Sequence, residues 1–193
     1  MALHGRPAEH PLPPLSGGRL NWRPMTEADL DGVVAVAAEA FPDHFEDRAC
    51  FAERLALFPQ GCRVLGDETA GVHGYLFAYP WRADAAPPLN ALIGALPRDA
   101  SVLYLHDLAL SPTARGGGHA ASAVEAVVEL ARGGGWPAIS LVAVNDAAGF
   151  WARYGFEVAD PPGLRDKLAS YGPDARYMVR RIRAAESRVA IIM

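Results

Sequence analysis

Arg115-Gly116-Gly117-Gly118-His119-Ala120 is the stretch on which the reading of this chain turns. An apolar run with strand character, Val102 to Leu110, precedes it. A helix with Val124, Val127, Val128 and Ala131 on one face follows it. A strand-to-helix junction of this kind is suited to holding phosphate. The first turn of a helix carries N–H groups without intrahelical partners, and its dipole favours negative charge. Glycine lets the backbone approach an anion with no side chain in between. Arg115 adds a cation that does not lose its proton.

Two familiar phosphate loops do not fit. A P-loop requires Gly-Lys-Ser/Thr, and the chain's only lysine is Lys167. A dinucleotide fingerprint requires a third glycine where Ala121 stands, and it belongs to an early strand rather than one about 100 residues in. A glycine-rich turn with no ligand is the remaining alternative. The wider context favours a ligand. The spacing Arg115-x-x-Gly118-x-Ala120 resembles the Arg/Gln-x-x-Gly-x-Gly/Ala signature of the GNAT superfamily of N-acetyltransferases, and Leu108-Ala109-Leu110-Ser111-Pro112 resembles the strand end that precedes it there. Downstream, Asn145-Asp146-Ala147-Ala148-Gly149-Phe150-Trp151, followed by Tyr154-Gly155-Phe156, is similar to that family's Asn…Ala-x-x-Phe-Tyr-x-x-x-Gly-Phe segment. From about Leu20 to Ile182 the rest agrees in element order only.

Bulk properties narrow the classes further. A chain of 193 residues, 51% hydrophobic and 21% charged, can build one ordinary globular core. A net charge of −4 gives no general attraction to nucleic acid. No apolar run is long enough for a membrane span, and no signal-peptide pattern opens the chain. Cys50 and Cys62 have neither metal-ligand nor disulfide-framework spacing, so a reducing, cytoplasmic setting is expected. Residues 1–18 read as a flexible Pro/Gly-rich tail, 19–183 as a single domain and 184–193 as a C-terminal tail.

The periodicities predict a first strand at Leu20–Pro24 and a helix capped by Thr26 with Leu30, Val33, Val34, Ala37 and Phe41 on its apolar face. They predict a second helix over Ala49–Phe58 with Phe51, Leu55 and Phe58 inward. A hairpin of Cys62–Gly66 and Val72–Tyr79 comes next, then a long connection from Pro80 to Ala100 with a helix-like turn at Leu89–Leu96. Strands at Val102–Leu110 and Ile139–Val144 follow, then a short helix at Ala147–Tyr154 and a last strand at Tyr177–Ile182. The fold class is therefore α/β (α+β), with helices on both faces of a mixed sheet. The resemblance implies a mostly antiparallel sheet of six to seven strands, splayed apart at its centre.

The same resemblance implies acetyl-CoA as co-substrate, no metal, and direct transfer of the acetyl group to a primary amine of a small molecule or peptide. It implies that Arg115, Gly116, Gly117, Gly118, His119 and Ala120 hold the pyrophosphate. The pantetheine arm would lie along the backbone of Leu108, Ala109 and Leu110, with the Leu110 N–H as oxyanion donor. Asn145, Phe150 and Trp151 would form the opposite wall; Asn145 could equally cap the helix after it.

For catalysis the central strand offers Tyr104, His106 and Asp107. Removing the proton from a lysine-like amine at pH 7 costs about 4–5 kcal/mol, and from an α-amine only about 1 kcal/mol. His106 suits a base or relay near neutrality, and Asp107 could orient a cationic amine. Strand alternation predicts Tyr104, His106 and Leu108 on one face and Leu105 and Asp107 on the other, unless a bulge intervenes. Trp151 stands where the family often carries a tyrosine acid, and an indole N–H is no substitute. Tyr104, Tyr154, Tyr171 and Tyr177 are the alternatives, Tyr154 being accounted for by helix packing. Phe41, His44, Trp81 and Asn90 are possible acceptor-pocket residues. A catalytically weak CoA-binding sensor on the same fold is the second functional reading, and another type of nucleotide-binding domain the third. No nucleic-acid or membrane partner is expected, and a monomer and a homodimer are both compatible.

Overall fold

The computed structural model describes residues 20–67 and 71–183. Both expected tails, 1–18 and 184–193, lie outside these. Along the chain come β1 (Asn21–Pro24), α1 (Leu30–Ala40), α2 (Arg48–Leu57), β2 (Cys62–Asp67), β3 (Gly71–Trp81), β4 (Val102–Leu110) and α3 (His119–Gly133). Then follow β5 (Ala138–Ala143), α4 (Ala148–Ala152), β6 (Glu157–Val158), α5 (Arg165–Ala169) and β7 (Arg176–Arg181).

The strands form one sheet of seven in the order β1-β2-β3-β4-β5-β7-β6. Neighbours run antiparallel except for β4 and β5. That parallel pair meets only at Leu103–Ile139 and Tyr104–Ser140, so the two strands part beyond Tyr104 as the resemblance implied. The other edge of β4 is bonded to β3 over its whole length, from Val102–Trp81 to Leu110–Gly74. The sheet therefore opens on the β5 side of β4 alone.

Each face is covered because each helix carries one apolar stripe. Val124, Val127, Val128 and Ala131 of α3 pack with Leu103, Leu105, Ile139 and Leu141, joined by Trp151 and Phe156. On the other face Leu30, Val33 and Val36 of α1 and Phe51 of α2 pack with Val64, Tyr75, Phe77 and Ala109. Burying a valine or leucine at such a site contributes about 1.5–3 kcal/mol. Thr26 opens α1 through a short 3-10 turn: Asp29 Oδ2 accepts from the Thr26 N–H (2.8 Å) and hydroxyl (2.9 Å), and Arg23 grips the same carboxylate at 2.6 and 2.8 Å. Pro80 lies within β3, but β2 pairs no further than Phe77, so it occupies a stretch with a free edge, where proline is tolerated.

Several expectations need correction. α5 and β6 were not foreseen; each is too short to carry a period. The turn expected over 89–96 is confined to residues 89–90, and no helical stretch continues it. Asn90 is in the left-handed region (φ 45°), and the stretch is held from outside instead. Glu53 of α2 accepts the N–H groups of Ile93 (2.7 Å) and Gly94 (2.9 Å), and the Tyr171 hydroxyl donates to the Pro87 carbonyl (2.8 Å).

The alternation argument on β4 fails for the reason that would defeat it, a bulge. Phe77 pairs with Asp107 and Ala78 with Leu105, leaving His106 as an extra residue. Leu103, Leu105 and Leu108 consequently pack on the α3 face, while Tyr104 and Ala109 belong to clusters of the opposite face. His106 contacts the rings of Tyr79 and Tyr104, and Asp107 accepts from Tyr75, so both chemical residues stand on that opposite face.

Candidate active site

A cleft of about 620 Å³ occupies the gap between β4 and β5. One end is the turn from β4 into α3. Gly116 (φ 81°) and Gly118 (φ 76°, the helix N-cap) take the left-handed backbone that glycine permits, and a Cβ on either would meet open space. Arg115, Gly116, Gly118, His119 and Ala120 line this end. Gly117 does not; it sits against the His119 ring, whose Nε2 would be 2.8 Å from an added Cβ. The first turn of α3 is fixed from the far edge of the sheet, where the Trp22 indole N–H donates to the His119 carbonyl at 2.9 Å.

Along the middle, Leu108, Ala109 and Leu110 form one wall, on the edge that β5 leaves unpaired. Asn145, Phe150 and Trp151 form the other. Asn145 is not the cap of α4, because Ala147 holds that position. Asn145 and Asp146 both lie in the left-handed region (φ 53° and 57°), and the Asp174 carboxylate receives the Asp146 N–H at 2.7 Å. Trp151 is only 8% exposed and packs edge-on against Phe156, so most of its indole is core. Of the tyrosine alternatives, Tyr154, the weakest by sequence, lines the cleft, whereas Tyr177 does not and instead accepts the Asp84 N–H (3.0 Å).

The other end gathers Tyr104, His106, Asp107, Phe41, His44 and Tyr171. Trp81 and Asn90 are not in its lining. It also holds a residue that sequence reasoning missed. Glu46, in the connection between α1 and α2, has a nearly buried side chain whose Oε2 lies 2.7 Å from His106 Nε2. Its Oε1 accepts from Arg54 (3.0 Å) and from the Asn90 N–H (3.0 Å). Arg54 is fully buried, donates also to the Cys50 carbonyl (2.9 Å), and lies 6.0 Å from the Tyr79 ring centre. Glu46 follows no motif and stands 60 residues from His106, so no local pattern marks it. Arg54 left a trace: an arginine between Phe51 and Leu55 on the inward stripe of α2.

Burial and neighbours drive the two carboxyls apart. Burial alone would raise Glu46, but His106 and Arg54 outweigh it and hold Glu46 below the usual carboxylate value. Burial raises Asp107 above that value, opposed in part by His106 and reinforced by Glu46. Burial also lifts Tyr104 well above an ordinary phenol. An ionised Glu46 requires Nε2 to carry the hydrogen of their bond, leaving Nδ1 of a neutral His106 as its lone pair. Divergent carboxyls beside an oriented imidazole are a pattern suited to proton transfer. Glu46, His106 and Asp107 also present ligand atoms within 4.8 Å of one another. Both Glu46 oxygens and His106 Nε2 are already engaged, however, so a cation would have to break these bonds.

Comparison with known proteins agrees with this geometry. A family model described as the acetyltransferase (GNAT) family matches residues 30–156. Among solved structures, a GphF GNAT-like decarboxylase in complex with isobutyryl-CoA has TM-score 0.69 and 21% identity, covering 84% of this chain and 100% of that one. Ard1 from Thermoplasma volcanium has TM-score 0.65 and 16% identity, covering 85% and 98%. N-acetylglutamate synthase from Neisseria gonorrhoeae, complexed with coenzyme A and N-acetyl-glutamate, has TM-score 0.65 and 18% identity; 87% of this chain covers 36% of that one. At these identities the structures establish the fold. No curated protein matches the chain significantly.

Proposed function

This chain belongs to the GNAT family of acetyltransferases, and from that premise we propose that it transfers the acetyl group of acetyl-CoA directly to a primary amine of a small molecule or peptide. One observation carries the reading: a single cleft runs from a glycine-lined helix start, past the open edge of β4, to Glu46, His106 and Asp107. The donor chemistry fits these residues, since a diphosphate needs N–H groups and close approach, and an extended amide arm needs an unpaired strand edge.

In this reading Arg115, Gly116, Gly118, His119 and Ala120 hold the pyrophosphate, with Gly117 supporting the turn. Leu108, Ala109 and Leu110 align the arm by backbone bonds, and the Leu110 N–H receives the developing oxyanion. Acetyl-CoA supplies an activated acyl carbon: a nitrogen–carbon bond forms as the carbon–sulfur bond breaks, and the proton lost by the amine balances the thiolate. Asp107 orients the incoming ammonium. Glu46 holds His106 with Nδ1 free, and His106 takes the proton directly or through a water. Tyr104, lifted above its ordinary value by burial, stabilises the departing thiolate by donating a hydrogen bond rather than by giving up its proton.

A catalytically weak CoA-binding module is the second reading, and the mostly buried Trp151 at the family's tyrosine position is the observation that favours it. Thiol release from acetyl-CoA with a panel of amines separates the two. The first expects amine-dependent release, lowered about 10²-fold or more by His106→Ala with cofactor affinity retained. The second expects thermal stabilisation by acetyl-CoA with no release. Arg115→Ala is expected to weaken acetyl-CoA binding under both, and an unchanged affinity counts against the phosphate cradle.

A further inference from the structure

Asn90, which stands outside the cleft lining, meets three demands at once. Its backbone is in the left-handed region (φ 45°), which asparagine tolerates better than most residues. Its N–H donates to Glu46 Oε1 at 3.0 Å. Its side-chain Oδ1 accepts the Asp47 N–H at 2.8 Å and the Cys50 thiol at 3.7 Å. The two segments are thus tied in both directions. The backbone of Asn90 bonds the side chain of Glu46, and the side chain of Asn90 bonds the backbone of Asp47. A capping box uses the same reciprocal pattern at a helix start; here it closes between residues 43 apart in the chain.

This clasp bears on the carboxylate that holds His106. Glu46 Oε2 lies 2.7 Å from His106 Nε2, and Oε1 takes two donors, Arg54 and Asn90, each at 3.0 Å. Arg54 belongs to α2, the helix that Glu46 leads into, so the two move together. Asn90 comes from the long connection between β3 and β4. Two donors on one oxygen, from different elements, fix the plane of the carboxylate. With Arg54 alone the group can turn, and Oε2 can leave Nε2. The Asn90 N–H also favours the ionised form of Glu46, as any donor to a carboxylate does. Leu89, the preceding residue, faces the cleft, so the clasp joins the acceptor wall to the histidine. The connection has further anchors of its own. Glu53 holds Ile93 and Gly94, and Tyr171 holds Pro87, so it stays docked when the Asn90 side chain is lost.

We propose that Asn90 is a positioning residue: acting through Glu46, it keeps the His106 proton on Nε2 and leaves Nδ1 free to take a proton. The inference rests on the acetyl-transfer reading above and concerns how its base is held. Asn90→Gly keeps the left-handed backbone and the N–H and removes only the Oδ1 latch. Asp47→Pro removes the same bond from its other end, at a backbone (φ −66°, ψ 148°) that proline adopts.

The test reads the tautomer of His106 directly, from the ring nitrogen NMR shifts of the full chain labelled at histidine. The spectra are taken at about pH 9, well above the ordinary imidazole value. The His106 signals are assigned by their loss in His106→Ala. The parent is expected to show the Nε2–H form alone, and both variants a mixture with the Nδ1–H form. Thiol release from acetyl-CoA is read alongside: kcat is expected to fall about three- to tenfold, the reach of one neutral hydrogen bond, with KM for acetyl-CoA unchanged. A role confined to bracing the connection lowers Tm and moves neither reading. Folded variants in which His106 keeps the Nε2–H form alone, or in which kcat matches the parent, would overturn the inference while leaving acetyl transfer intact. Because the tautomer is read without substrate, failure of the underlying reading looks different. A shifted tautomer in a chain whose parent releases no thiol with any amine removes acetyl transfer and leaves the hold of Asn90 on His106 standing.

Discussion

Replacing Glu46 by glutamine isolates what its carboxylate does, because size and shape are kept. Glu46 Oε1 receives both Arg54 and the Asn90 N–H at 3.0 Å, so the glutamine oxygen must take that position. The NH2 group then occupies the place of Oε2, 2.7 Å from His106 Nε2, and donates to it. His106 Nε2 becomes the acceptor and its proton moves to Nδ1, the wrong tautomer for taking a proton from the amine. General-base assistance is worth about 10²–10⁴-fold, so kcat is expected to fall about 10²–10³-fold, or about 2.7–4 kcal/mol of activation energy. Arg54 keeps its hydrogen bond but loses its counter-charge in a fully buried site. Breaking such a pair outright costs about 3–5 kcal/mol, and the retained bond lowers this to about 2–3 kcal/mol. At about 2–4 °C per kcal/mol, Tm is expected to drop by about 4–12 °C, leaving a folded protein at 25 °C. Steady-state thiol release and thermal unfolding read these two effects separately, and acetyl-CoA titration checks that cofactor binding is retained. A folded Glu46→Gln variant with kcat within about threefold of the parent would refute the tautomer argument.

Three further outcomes follow from other parts of the chain. Hydrogen bonding from Arg23, reinforced by Thr26, holds the Asp29 carboxyl down at about 2 despite its burial. A lowered folded-state value stabilises above the unfolded value near 3.9 and is lost as pH falls toward 2. With Arg23 a third exposed, Asp29→Asn is expected to cost about 1–2 kcal/mol at pH 7 and almost nothing at pH 2, a difference that denaturant titrations at both pH values measure. Gly118→Ala places a Cβ in open space at φ 76°, so its cost is conformational, about 1–2 kcal/mol, and a thermal melt indistinguishable from the parent's would contradict the left-handed cap. Trp22→Phe removes the bond to the His119 carbonyl, worth about 0.5–1.5 kcal/mol, and part of the ring that packs on the core; KM for acetyl-CoA is expected to rise up to about tenfold at constant kcat, and a fall in kcat alone would disprove its positioning of α3.

What the sequence by itself determined was local chemistry with a period or a spacing. The valine stripe of α3 faces the sheet, Val102–Leu110 is the central strand, and the glycine turn meets the helix start, because each depends on neighbours within a few residues. Tertiary structure decided the rest. One extra residue on β4 brings His106 and Asp107 to the same face, and it is visible only in the pairing with β3. Glu46, 60 residues from His106, becomes its partner because a buried arginine on α2 and the N–H of Asn90 converge on one carboxylate. Trp22 reaches across 97 residues to hold the first turn of α3. Hydrogen bonds of this reach depend on how layers stack, and no periodicity along the chain encodes them. The residue types carried the chemistry, and the packing chose which of them meet.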